Sequence, residues 1–114
     1  MLKLFKKKLS EAEIRELFLQ AAITGDLKTL KKWIKKVARM QELEIFVEAL
    51  QESVKHNHLG ATVYLIENGS PINSKNKDGE SPLLLALKNG KGQESIHMVE
   101  YLIKNRAKLG VFIS

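Results

Sequence analysis

A residue suited to ending a helix returns at a nearly fixed interval: Gly25, Asn57 and Gly90 stand 32 and then 33 residues apart. Gly and Asn both tolerate the left-handed backbone angles at which many helices terminate. Apolar residues at helical spacing lie on either side of each landmark. Ile14, Leu17, Phe18, Ala21 and Ala22 form one stripe, and Leu27, Leu30, Trp33, Ile34 and Val37 the next. Leu43, Phe46, Val47, Leu50 and Val54 pair in the same way with Leu59, Val63, Leu65 and Ile66. Leu83, Ala86 and Leu87, followed by Ile96, Val99, Leu102 and Ile103, make a third couple. All these stripes are expected to be core. A period near 33 residues with two short helices in each interval predicts stacked helix pairs. One pair cannot bury its apolar face alone, so neighbouring pairs supply the core. About three units is the minimum for such a stack, so the middle one should carry the stability.

Local signals agree with this division. Ser10-Glu11-Ala12-Glu13 fits a capping box, in which the Ser10 hydroxyl and the Glu13 carboxylate each satisfy the other's backbone amide. Asp26 is placed to cap the helix that follows Gly25. Pro82 sits where a first helical turn loses nothing by lacking an N–H. Asp78-Gly79 is a tight-turn signal. The stretch from Lys91 to Ser95 reads as an insertion that lengthens the last interval.

The most patterned stretch is Leu65-Ile66-Glu67-Asn68-Gly69-Ser70-Pro71-Ile72-Asn73-Ser74-Lys75-Asn76-Lys77-Asp78-Gly79-Glu80-Ser81-Pro82-Leu83. Its helix end, Gly-Ala-like turn, hairpin and Thr-Pro-Leu-His-like opening resemble the ankyrin-repeat family. Ser81 stands for the usual Thr and Leu84 for the usual His. Ala21-Ala22-Ile23-Thr24-Gly25-Asp26-Leu27 resembles a first repeat of that family. The resemblance runs roughly from residue 11 to 108, with no Asp-Gly hairpin around Ala38 to Glu44. It implies an all-α solenoid of about three helix-turn-helix units joined by short hairpin loops. The expected organisation is a single domain over residues 1–114, with repeats at about 11–41, 42–75 and 76–108.

Composition closes off several function classes. There is no cysteine, which removes disulfides, thiolate metal sites and thiol nucleophiles. No apolar run reaches the ~18 residues of a membrane span, and Glu11, Glu13 and Arg15 interrupt any signal-peptide pattern, so the chain is expected to be cytoplasmic. His56 and His58 invite a metal reading, but no further ligand stands at convincing spacing, and His58 falls where the ankyrin family commonly has an inter-helix His. The serines read as caps and turns, and Gly90-Lys91-Gly92 lacks the remainder of a phosphate loop. Neither an enzyme nor a cofactor is expected.

What remains is surface. The resemblance implies that hairpin tips and first-helix faces grip partner proteins, and at matching positions here it points to Thr24, Lys55, His56, Lys75, Lys77, Glu80, Lys88 and Asn89. Five of those eight are Lys or His, which implies an acidic or phosphorylated counterpart. Small size suits an inhibitor or immunity-type protein, by analogy alone. The net charge of +6 gathers in residues 1–41, which offers an alternative: association with nucleic acid or an anionic membrane. The basic segment 1–9 reads as a helix extension or an electrostatic anchor. The apolar tail 109–114 reads as a fold-back cap, a dimer contact or the mark of a cut chain. Oligomeric state is left open.

Overall fold

The computed structural model describes residues 8–89 and 94–108. Six helices follow in order: α1 (Glu11–Thr24), α2 (Leu27–Arg39), α3 (Leu43–Lys55), α4 (Leu59–Glu67), α5 (Pro82–Asn89) and α6 (Glu94–Lys104). No strand occurs among the described residues. Consecutive helices pack as hairpins, α1 on α2, α3 on α4 and α5 on α6. The first helices of the pairs form one row, α1 against α3 and α3 against α5, while α2 touches α4 behind them.

The helix ends are made as the sequence predicts. Ser10 Oγ accepts from the Glu13 amide at 3.1 Å and Glu13 Oε1 accepts from the Ser10 amide at 3.0 Å. Asp26 accepts from the Thr29 amide and hydroxyl, and these bonds, the hydroxyl first, hold its carboxyl below the ordinary range. Gly25 closes α1 at φ 76°, and Asn57 takes the equivalent turn after α3 at φ 59°. Gly90 and the stretch from Lys91 to Gln93 lie outside the described residues.

Two apolar clusters hold the stack. The first joins Ile14, Phe18, Leu30, Ile34 and Val37 of the opening pair to Ile45, Phe46, Ala49, Ala61 and Leu65. Phe18 and Phe46 meet edge to face, 5.9 Å between centroids. The second joins Leu50 and Val54 to Leu83, Leu85, Ala86, Met98 and Leu102. Helix α3 thus gives one side to each cluster. Burying both sides leaves small polar side chains inside, and they pair: Ser53 Oγ and Thr62 Oγ1 lie 2.8 Å apart, and Ser70 Oγ donates to the Phe46 carbonyl at 3.1 Å.

The predicted stripes need five corrections. Leu17, Leu43, Leu87, Ile96 and Ile103 are 41–62% exposed, whereas Ile45, Ala49, Ala61, Thr62, Leu85 and Met98 are buried. Position within the stack explains most of this. Counted from the helix ends, Leu17 corresponds to Ala49, which joins the cluster shared with the preceding pair. No pair precedes α1 among the described residues, so Leu17 is uncovered. Leu87 corresponds to Val54, and Ile96 and Ile103 to Leu59 and Ile66, all of which pack toward the next pair. On the third pair those places face outward. Leu43 is simply the first residue of α3. The same helical spacing therefore reads as core in the middle of a solenoid and as surface at its ends.

Candidate partner-binding groove

Between α3, the loop of residues 75–80 and α5 lies an open groove of about 710 Å³. Its walls come from different parts of the chain. One is the exposed face of α3, where Glu44, Glu48 and Glu52 recur every four residues and so align along the helix. Opposite stand Lys75, Asn76, Lys77, Asp78 and Glu80 of the loop, with Lys88 and Asn89 from α5. Val47, Gln51, Leu85 and Lys55 complete the lining.

Asn76 gives the loop its shape. Its Oδ1 accepts from the amides of Asp78 at 3.0 Å and Glu80 at 2.8 Å. Its own amide donates to the Glu80 carbonyl, and the Gly79 amide donates back to the Asn76 carbonyl, each at 3.0 Å. Gly79 supplies the positive φ, 76°, that this closure requires. Glu80 is thereby aimed at Lys88, with which it forms an ion pair, and it also accepts from Asn76 Nδ2 at 3.1 Å. Lys88, then Asn76, keep the Glu80 carboxyl below its ordinary range, and Glu80 in turn raises the Lys88 ammonium.

Six of the eight residues expected at a binding surface line this groove: Lys55, Lys75, Lys77, Glu80, Lys88 and Asn89. Thr24 and His56 stand outside it. The Thr24 hydroxyl turns back to the Gln20 carbonyl at 3.0 Å. His56 Nε2 lies 3.3 Å from the Glu52 carboxylate. The neighbouring His58 is engaged elsewhere, its Nε2 2.9 Å from the Ile23 carbonyl and its ring packed over Gly25. The two histidines therefore serve different helix ends.

Of the groove's carboxylates, sequence reasoning singled out Glu80 and missed Glu44, Glu48, Glu52 and Asp78. The α3 wall carries Glu44, Glu48 and Glu52 with Lys55 at its end, and the loop and α5 carry Lys75, Lys77 and Lys88 beside Asp78 and Glu80, so the surface is mixed in sign and is not uniformly basic. The four-residue spacing on α3 was a readable signal, but only the groove shows which wall it faces. Gln51 was missed as well. It is 9% exposed, and its Nε2 is buried without a hydrogen-bond partner among the described residues. A buried amide donor left unpaired costs about 1–3 kcal/mol.

Residues 49–103 match the family model described as ankyrin repeats (many copies). Neither the comparison with curated proteins nor that with solved structures gave a match. Repeats of this family mediate protein–protein interaction and are typically non-catalytic. The match covers most of the second and third helix pairs, and the first pair stacks on them in the same order. Residues 49–103 are ankyrin repeats, and the described residues form a short helical solenoid of which they are the larger part.

Proposed function

We propose that the chain binds a partner protein through the groove between α3, the 75–80 loop and α5, and performs no chemistry of its own. The observation that carries this reading is the acidic row of Glu44, Glu48 and Glu52 on α3 lining one groove with Lys75 and Lys77 of the loop. A fitting partner presents an acidic group to Lys55, Lys75 and Lys77 and a basic group to Glu44, Glu48 and Glu52. The acidic surface expected of the partner is then one part of its contact. Glu80 and Lys88 satisfy one another, so they shape the loop and contribute little direct attraction. A module that only occupies a surface acts by blocking or by scaffolding, and an inhibitory or immunity-type role is the blocking case.

A pull-down comparing wild type with two charge-reversed forms tests this. Lys55→Glu with Lys75→Glu and Lys77→Glu should lose the partner, and so should Glu44→Lys with Glu48→Lys. A truncated ion pair at an interface costs on the order of 2–5 kcal/mol when it is desolvated. Retention of the same partners by both forms would refute the groove.

A further inference from the structure

The charge on α2 is as one-sided as the groove is divided. Lys28, Lys31, Lys32, Lys35, Lys36 and Arg39 are all exposed, and the helix contains no acidic residue. At 3.6 residues per turn the six fall within an arc of roughly 140°, nearly opposite the buried stripe of Leu30, Ile34 and Val37. None of the six forms a salt bridge with a described residue, although α3 just beyond carries Glu44, Glu48 and Glu52. Asp26 at the helix start is held below its ordinary range by Thr29 first, with Lys28 a smaller cause. The two aromatic rings along α2 are already under cations: Lys31 Nζ lies 5.7 Å from the Tyr64 ring centre and Lys32 Nζ 5.2 Å from that of Trp33.

We propose that this face of α2 is a docking strip for an anionic lipid surface. The argument is charge and shape together. A helix of this length presents its cations along ~20 Å of one outward line, which a flat anionic leaflet can meet all at once. A nucleic acid would be read by stacking rings or by an element fitted to a groove. Here Trp33 and Tyr64 are half-buried and capped by lysines, and the strip is convex. The strip lies on the second helix of its pair, apart from the groove, so a protein partner and a membrane can be held together.

The experiment is co-sedimentation of the full chain with vesicles of phosphatidylcholine alone and with about 30% phosphatidylserine, at low and high salt. The chain should pellet only with the anionic vesicles and be released by salt. Lys31→Gln, Lys32→Gln, Lys35→Gln and Lys36→Gln combined should weaken binding on the order of several hundredfold, because each cation near such a surface contributes about fivefold. The pairs K31Q/K32Q and K35Q/K36Q, each expected to lose about thirtyfold, keep the test usable should the quadruple form misfold. The groove variant E44Q/E48Q should bind vesicles as wild type does. Equal binding to neutral vesicles, no binding to either, or unchanged binding by the α2 variants would overturn the proposal. So would an oligonucleotide that binds α2 more tightly than the anionic vesicles.

Discussion

The two joints of this solenoid are built differently. Between the first and second pairs the chain crosses in residues 40–42, with no loop to speak of, and the joint is filled by rings and aliphatic side chains. Between the second and third pairs it takes residues 68–81. That longer path builds the Asn76 turn and one wall of the groove. Asn73 further ties this loop to the end of the stack, donating to the Arg106 carbonyl at 3.3 Å and accepting from the Lys108 amide at 2.7 Å. One joint is devoted to packing, the other to presenting a surface. The lesson is that a repeat can lose its loop and keep its stacking, provided the helices on either side supply enough apolar contact.

The largest expected effects fall on the helices that serve the joints. Leu65→Ala should weaken the first and Leu50→Ala the second, each lowering stability by about 2–5 kcal/mol in urea unfolding. Both side chains are fully buried, so a loss near zero for either would remove its joint from the account. Next comes Gly25. A Cβ there would lie 2.5 Å from His58 Nδ1, and the residue already holds φ 76°. Gly25→Ala should cost at least about 1–2 kcal/mol in left-handed strain alone. Adding His58→Ala should return the part due to collision, and if it returns nothing, the ring does not seat against Gly25.

These two classes of effect also separate what was legible in the sequence from what was not. Turns and caps are local, and Ser10, Asp26, Asn57 and Gly79 could be read because each needs only its near neighbours. Burial depends on what is stacked alongside. Leu17, Leu87, Ile96 and Ile103 have core-like spacing, and they are exposed because no further pair covers them among the described residues. Ala49 and Thr62 are buried although neither is strongly apolar, because α3 and α4 are covered on more than one side. For the groove, the lysines were found by matching positions to a family. The carboxylates of α3 were not, since their meaning depends on a loop more than twenty residues away.

Smaller effects probe the surface joint. Gln51→Leu should raise stability by about 1 kcal/mol, by removing an unpaired buried donor. A loss of stability would mean that the amide is satisfied. The Glu80–Lys88 pair should give a pH signature without a large energy. Glu80 titrates below its ordinary value, so its contribution is present above the unfolded glutamate range and fades as pH falls through the folded value. Lys88 is raised, so its share is complete below the unfolded lysine range and fades as pH rises through the folded value. The loop amides of Asp78 and Glu80, followed by NMR, should therefore shift at both extremes in wild type. Neither shift should appear in Glu80→Gln.

Hydrogen exchange resolved along the chain tests the central arrangement most directly, because among the described helices α3 is the one whose fully buried side chains enter both apolar clusters. Its amides, those of Ala49 to Val54 foremost, should exchange slowest, with α5 and α6 opening earlier. Equal protection of all six helices, or α3 exchanging ahead of α5, would show that the two clusters do not meet on one helix.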